Sequence, residues 1–149
     1  MSEEFQMIPL DQEHIEDVLV IENLSFSIPW SREAFIQEIL YNQLARYLIV
    51  LNGNQAIAYG GMWLILDEAH ITNIAVHPDY RGRGIGKKLM QGLIDLMKEE
   101  GIGQMSLEVR KSNAVAIHLY ESFGFQEEGV RKEFYFDNHE DALIMWRRD

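Results

Sequence analysis

The stretch between residues 72 and 89 constrains the fold of this chain more than any other part. An apolar strand pattern ends at Val76, and Pro78 stops the strand because proline has a fixed φ and no N–H to donate. Glycines follow at three alternate positions, and a helical repeat of apolar residues begins at Ile85. Such a turn lets backbone N–H groups converge on an anion at the helix start, so the stretch predicts a diphosphate site. The basic side chains that would add positive charge to this site are Arg81, Arg83, Lys87 and Lys88.

Two common phosphate-binding motifs do not fit this spacing. A P-loop requires a glycine, four further residues and then Gly-Lys-Ser/Thr. Placing its Gly-Lys pair on Gly86 and Lys87 puts Arg81 at the first glycine and Lys88 at the hydroxyl position. A dinucleotide-binding motif requires glycine at its first, third and sixth positions, whereas the third glycine here occupies the fifth. The sequence therefore excludes both of these motifs.

The composition predicts a single cytoplasmic domain over residues 1–149. No apolar run is long enough to span a membrane, and the acidic residues 1–4 lack the apolar region of a signal peptide. The net charge of −11 disfavours nucleic acid and suits a basic substrate, although solubility alone also accounts for it. The chain has no cysteine, which excludes disulfides and thiolate nucleophiles. We predict no metal site, because no ligand spacing relates the following histidines: His70, His77, His118 and His139.

Apolar patterns along the chain predict elements in the order β, α, α, β, β, β, α, β, α, β, β. The predicted strands cover residues 5–8, 46–51, 55–66, 68–76, 104–109, 125–135 and 141–146. The predicted helices begin at Asp11, Ser31, Ile85 and Ser112. A helix between the strands at 68–76 and 104–109 implies a right-handed crossover that joins two parallel strands. The predicted fold class is therefore α/β (α+β) with a mixed sheet.

The segment Arg81-Gly82-Arg83-Gly84-Ile85-Gly86 resembles the acetyl-CoA-binding motif of the GCN5-related N-acetyltransferases (GNAT), which reads Arg/Gln-x-x-Gly-x-Gly/Ala. The resemblance implies the GNAT fold, a mostly antiparallel sheet with a splayed parallel central strand pair and flanking helices. It implies acetyl-CoA as co-substrate and no metal. It also implies that residues 81–86 bind the diphosphate and that the pantetheine arm contacts Ile74, Ala75, Val76 and Asn113.

Acetyl transfer to an amine needs a proton acceptor, because an ammonium has no free electron pair, and a proton donor for the departing thiolate. Glu108 lies between two apolar neighbours on a predicted strand, so its side chain faces away from theirs and is placed to accept a proton. Alternatively, Glu108 pairs at the surface with Arg110 or Lys111. The phenol of Tyr120 is a suitable proton donor. Alternatively, Tyr120 is an aromatic residue of a helix that only packs beside Phe123. The resemblance implies the catalytic roles, with Glu108 as acceptor and Tyr120 as donor.

Further segments are similar to the bacterial members of the family that acetylate ribosomal proteins, namely residues 24–31, 60–63, 68–78, 107–110 and 140–145. This resemblance implies that the acceptor is the N-terminal alanine of a small-subunit ribosomal protein, a basic peptide, bound by a monomer or weak dimer. We expect the substrate pocket to be shaped by Phe26, Trp30, Met62 and Tyr135. We expect basic residues of the substrate to be attracted by Asp67, Glu68, Asp137 and Glu140.

Two alternatives to this reaction remain open at the level of sequence. One is an acetyltransferase for a small amine, a polyamine or a lysine side chain. The other is a CoA-binding module without turnover. For an active enzyme we expect direct attack of the amine in a ternary complex, since no cysteine is present to carry an acetyl group.

Overall fold

The computed structural model of this chain describes residues 5–149, and the acidic residues 1–4 lie outside the described part. Its strands are β1 (Gln6–Pro9), β2 (Ala45–Asn52), β3 (Gln55–Ile65), β4 (Glu68–Val76), β5 (Gln104–Arg110), β6 (Gln126–Arg131) and β7 (Ala142–Arg148). Its α-helices are α1 (Ile15–Ser25), α2 (Arg32–Tyr41), α3 (Ile85–Glu99) and α4 (Ala114–Ser122). The order of strands and α-helices along the chain confirms the predicted order.

The seven strands form one sheet in the order β1-β2-β3-β4-β5-β7-β6. Among the strands of residues 5–149, only β4 and β5 pair in parallel, and α3 provides the crossover between them. The other neighbouring strands pair antiparallel. The β4–β5 ladder consists of two residue pairs, Ala69 with Met105 and His70 with Ser106, after which the strands diverge. The expected mixed sheet with a splayed parallel pair is therefore confirmed.

The two faces of the sheet carry separate hydrophobic cores. On one face, α3 buries apolar residues that recur at intervals of four, including Leu89, Leu93 and Met97. On the other face, α1 and α2 pack residues such as Val18 and Phe35 against the sheet. We call these the α3 face and the α1/α2 face. Alternation along each strand decides which side chains reach which face.

The prediction of a strand over residues 125–135 is wrong at its C-terminal end, because β6 stops at Arg131. Glu133 adopts a left-handed φ of +52°, which is incompatible with a continuing strand. Its N–H donates to the Asp141 carboxylate at 2.9 Å, and the Tyr135 N–H donates to the Glu140 carbonyl at 3.2 Å. Residues 132–141 therefore form a folded loop, the β6–β7 loop, in place of a long hairpin.

Candidate active site

The edge of β4 that faces β5 is open beyond His70, because the parallel ladder ends there. A β-bulge lies at the same point. Asn73 pairs with Gly61 and Ile71 pairs with Met62, so Thr72 is the additional residue. Backbone groups of β4 along this opening are available to bind an extended ligand.

The bulge also determines where the predicted pantetheine contacts lie. Ala75 belongs to the core of the α1/α2 face, whereas Ile74 and Val76 pack against the core of the α3 face. All three residues lie on the divergent half of β4. The Val76 carbonyl accepts a hydrogen bond from Arg81 Nε at 3.0 Å, so this carbonyl is already bound within the protein.

The glycine-rich turn has the backbone that an anion site requires. Gly82 and Gly84 adopt φ values of +80° and +78°, which other residues rarely reach. Gly84 is the N-cap of α3 and provides no side chain, so no side-chain cap covers the first N–H groups of the helix. Gly86 lies in the first turn of α3, where an added Cβ would be 3.8 Å from Leu119. A Cβ added at Gly82 or Gly84 would meet no atom within 4 Å, so there is open space beside this helix N-terminus, where negative charge is stabilised.

The arginines of this turn are exposed and form hydrogen bonds with the surrounding loops. Besides Val76, Arg81 reaches Ser25 Oγ at 3.4 Å, which links the turn to the end of α1. The Arg83 guanidinium donates to the Asp79 carbonyl at 3.3 Å and lies over the Tyr80 ring at 5.1 Å. The two guanidinium groups add positive charge to the predicted diphosphate site.

Glu108 faces the α1/α2 side, because its neighbours Leu107 and Val109 are buried in the core of the α3 face. Its Oε2 lies 3.1 Å from Nε2 of His70, and its Oε1 lies 3.4 Å from Nε of Arg131. Burial alone would raise the pKa of Glu108, but the hydrogen bond and charge of His70, together with Arg131, hold it below its ordinary value. Glu108 is therefore a carboxylate at neutral pH.

The two alternative partners weighed for Glu108 from sequence, Arg110 and Lys111, are not the ones found. Arg110 instead donates to Asp137 at 2.7 Å and to Glu140 at 3.3 Å, and its guanidinium lies 4.0 Å above the Tyr135 ring. Arg110 thus holds the β6–β7 loop against β5. Glu108 is left with only 13% of its side chain exposed, close to the gap between β4 and β5.

Tyr120 lies on the opposite side of the sheet from Glu108, in the core of the α3 face. Its ring packs against Phe125 with centroids 5.9 Å apart, and the residue is 7% exposed. Burial, with a smaller contribution from Tyr135, raises the pKa of Tyr120 to about 12. The phenol therefore keeps its proton at neutral pH, as a proton donor must.

Asn113 is the N-cap of α4, and its Oδ1 accepts the N–H of Ala116 at 3.1 Å. The capping role accounts for the start of the helix at Ala114, two residues later than predicted. The side-chain NH₂ group remains a donor for a ligand, so the predicted contact between Asn113 and the pantetheine stays a prediction.

The predicted acceptor pocket lies where two loops meet on the α1/α2 face. The loop after α1 contributes Trp30. Its backbone N–H donates to Glu22 Oε2 at 2.8 Å, and its ring centroid lies 5.3 Å from that of Phe35. Ser27 Oγ donates to Asp137 at 2.6 Å, which joins this loop to the β6–β7 loop. Phe26, which directly precedes Ser27 in the chain, is 38% exposed.

Tyr135 enters from the β6–β7 loop and is half-buried. Burial raises the pKa of Tyr135 to about 12 against the lowering effect of Arg110, and the negative charge of Glu108 adds to the rise. Tyr135 and Glu108 therefore share one electrostatic environment. Of the four predicted pocket residues, Phe26, Trp30 and Tyr135 remain candidates for contact with the acceptor.

Met62 does not belong to this pocket. Its side chain is fully buried in the core of the α3 face, because Trp63 on the same strand takes the α1/α2 side. Met62 therefore stabilises the sheet and has no surface for a substrate.

The expected attraction of basic residues by four carboxylates also needs correction. Hydrogen bonds from Ser27 and Ser112 lower the pKa values of Asp137 and Glu140, respectively, and Arg110 contacts both carboxylates and lowers both pKa values further. Asp67 and Glu68 lie at the N-terminal end of β4, at the opposite end of the strand from the gap. These four side chains do not form an uncompensated acidic surface around the site.

Two residues that touch the candidate base were not selected from the sequence, namely His70 and Arg131. His70 lies on β4, which neighbours β5, and Arg131 lies on β6, which is separated from β5 by β7. The sheet order and register therefore bring both side chains to Glu108. The signal present in the sequence was alternation, since Ser106, Glu108 and Arg110 share one face of β5. The partner residues on other strands could be found only once the register was known.

Residues 5–149 contain neither a membrane-spanning helix nor more than one group of clustered metal-ligating side chains. No helix in this part of the chain is long and apolar enough to cross a membrane. One group of metal-ligating side chains converges, formed by Asp11, Glu13 and His14. Asp11 Oδ1 already accepts from the backbone N–H of His14 at 3.1 Å and lies 2.6 Å from Nδ1 of the same histidine, so Asp11 caps the short helical turn that precedes α1.

The comparisons with known proteins agree with this geometry. Residues 15–125 match the acetyltransferase (GNAT) family. The chain is 46% identical over 134 residues to a Bacillus subtilis (strain 168) protein provisionally named a ribosomal protein bS18-alanine N-acetyltransferase, covering 90% of this chain and 89% of that protein. It is 44% identical over 130 residues to the ribosomal protein bS18-alanine N-acetyltransferase of Escherichia coli (strain K12), also called RimI, with 84% of each chain covered. The crystal structure of the ribosomal-protein-S18-alanine N-acetyltransferase from Escherichia coli superposes with a TM-score of 0.89 at 34% identity, covering 97% of this chain and 94% of that one.

Proposed function

The chain belongs to the acetyltransferase (GNAT) family, and from that premise we propose that it acetylates the N-terminal alanine of the ribosomal protein bS18. The enzyme is an acetyl-CoA-dependent N-acetyltransferase. Residues 1–149 act as one domain, and the site of action is the cytoplasm, where ribosomal proteins are made. The observation that carries the choice of substrate is the 44% identity to an enzyme of that name over 84% of both chains.

Acetyl-CoA would bind across the open edge of β4. The amides of residues 82–86 and the guanidinium groups of Arg81 and Arg83 suit its diphosphate. Backbone groups of residues 74–76 suit the amides of the pantetheine arm, because the parallel ladder has ended there. A backbone N–H in this segment would stabilise the thioester oxygen as negative charge develops on it.

The acceptor peptide would approach from the α1/α2 face, between Trp30 and Tyr135. This places its α-amino group on the side of the sheet to which Glu108 points. A free α-amino group has a pKa of about 8, so at neutral pH much of it must lose a proton before it can attack. The Glu108 carboxylate is the proposed acceptor of that proton, directly or through a water.

Tyr120 would donate a proton to the departing thiolate from the α3 face. The two catalytic groups lie on opposite faces of the sheet, and the gap between β4 and β5 connects those faces. Such an arrangement suits direct attack within a ternary complex, because the amine and the leaving thiolate lie on opposite sides of the carbonyl carbon. A covalent acetyl-enzyme is not required.

The test is an acetylation assay with a synthetic peptide that carries the N-terminal sequence of bS18 from the same organism. We expect mass spectrometry to locate one acetyl group on the α-amine, and CoA to be released only when peptide is present. The matched control is the same peptide with its α-amine already acetylated, which should not react even if it contains lysine.

Two other acceptors distinguish the alternatives. Spermidine tests a polyamine acetyltransferase, and the α-blocked peptide tests a lysine acetyltransferase. Turnover of spermidine or of internal lysine without turnover of the free α-amine would contradict the proposal. Binding of CoA without turnover of any acceptor would favour a non-catalytic module.

A further inference from the structure

The candidate base does not stand alone on its strand. His70 Nε2 lies 3.1 Å from Glu108 Oε2, and the other ring nitrogen, Nδ1, lies 3.0 Å from Ser106 Oγ. His70 and Ser106 form the last β4–β5 pair before the strands diverge, and Ser106 is only 6% exposed. The three side chains therefore form a short chain of hydrogen bonds that ends at the gap.

We propose that His70 is a positioning residue for acetyl transfer, whose Nε2–H donates to Glu108 and holds its carboxylate towards the acceptor amine. The inference rests on the proposed function, because it requires Glu108 to be the base. A carboxylate can only accept hydrogen bonds, so Nε2 must carry the hydrogen. The Ser106 hydroxyl suits either form of the ring, because it can donate to Nδ1 when that nitrogen carries no hydrogen and accept from it when it does.

Side chains from three other strands surround the contact between His70 and Glu108. On β5 it faces Glu108, and on β6 Arg131 binds the other carboxylate oxygen at 3.4 Å, with Tyr135 nearby. On β3 its paired residue is Trp63, which has no titratable group and donates to Glu38 of α2 at 2.8 Å.

The two oxygens of Glu108 are therefore held from two strands, Oε2 by His70 of β4 and Oε1 by Arg131 of β6. Without the His70 donor, the carboxylate would depend on Arg131, whose side chain is 57% exposed, for its orientation. Transfer should then be slower, because the acceptor amine would no longer meet a carboxylate held in one position.

The experiment measures kcat and the KM values for acetyl-CoA and the bS18 peptide in the parent protein, His70→Ala and His70→Gln. Alanine removes the donor, and kcat should fall about tenfold with both KM values unchanged. Glutamine restores an N–H donor, so His70→Gln should recover kcat to within about threefold of the parent.

The matched control is His118→Ala, which removes an exposed histidine of α4 and should keep the parental kcat. The parental kcat in His70→Ala, or a kcat in His70→Gln as low as that of His70→Ala, would overturn the inference. Thermal unfolding checks that each variant is folded, and His70→Leu, which fills the space without a donor, takes the place of His70→Ala if that variant unfolds.

Glu108→Gln separates this inference from the proposed function. If Glu108→Gln is at least 100-fold slower while the His70 variants behave as the parent, only the role of His70 is wrong. If Glu108→Gln keeps the parental rate, Glu108 is not the base, and the role of His70 falls with it.

Discussion

Replacing Tyr120 with phenylalanine removes one hydroxyl from the α3 side of the site and leaves the ring that packs against Phe125. A hydrogen bond to a charged group contributes roughly 1.5–3 kcal/mol, and the developing thiolate is such a group. At 1.36 kcal/mol per decade, kcat should fall by about 10- to 150-fold. The KM for the peptide should not change, because the phenol lies on the other face of the sheet from the acceptor.

The assay follows CoA release at saturating substrate between pH 7 and 10. The pKa of Tyr120 is raised to about 12, so the phenol keeps its proton throughout this range and the parent should show no alkaline loss. Tyr41→Phe, which removes a hydroxyl at a 69% exposed position on α2, is the matched control. The assignment of Tyr120 as proton donor would be refuted by a kcat within threefold of the parent, or by loss of parental activity centred near pH 10.

Two further predictions test the coenzyme turn and the acceptor loop. Gly84→Ala should raise the Kd for CoA about fivefold in calorimetry, because alanine disfavours φ of +78° by ~1 kcal/mol. Gly101→Ala, which has the same φ of +78° beyond the opposite end of α3, should not. Equal effects of the two substitutions would contradict a role of the turn in binding. Glu22→Ala should lower stability by about 2–4 kcal/mol, because the buried Tyr59 hydroxyl and the backbone N–H of Trp30 both lose the carboxylate that accepts from them. Differential scanning calorimetry should show a Tm lower by about 5–15 °C, whereas Glu16→Ala, at an exposed ion pair, should change Tm by less than about 2 °C.

The fold was predictable because its determinants are local. The glycine motif, the crossover helix and the alternation of β5 each occupy a single continuous segment, and the structure has them in the predicted order. The end of β6 was not predictable in the same way. The chain leaves the sheet at Arg131 because the following loop is held by Asp141 and by Arg110, which are distant in sequence.

The site was predictable only in part, because it depends on register. A one-residue bulge at Thr72 decides which residues of β4 face the acceptor side, and no local signal marks it. Met62 was placed in the pocket by residue type, whereas its position in the alternation of β3 directs it to the opposite core. His70 was considered only as a metal ligand, since its contact with Glu108 exists only across two paired strands.

The central claim is that the gap between β4 and β5 holds the reacting thioester, with Glu108 on one side and the diphosphate at the glycine turn. A crystal structure with CoA joined covalently to the α-amine of a bS18 peptide tests this most directly. We predict the pantetheine along residues 74–76, the diphosphate on the amides of residues 82–86, and the α-nitrogen within direct or water-mediated reach of Glu108. A coenzyme bound elsewhere, or an α-nitrogen on the α3 face, would contradict the account.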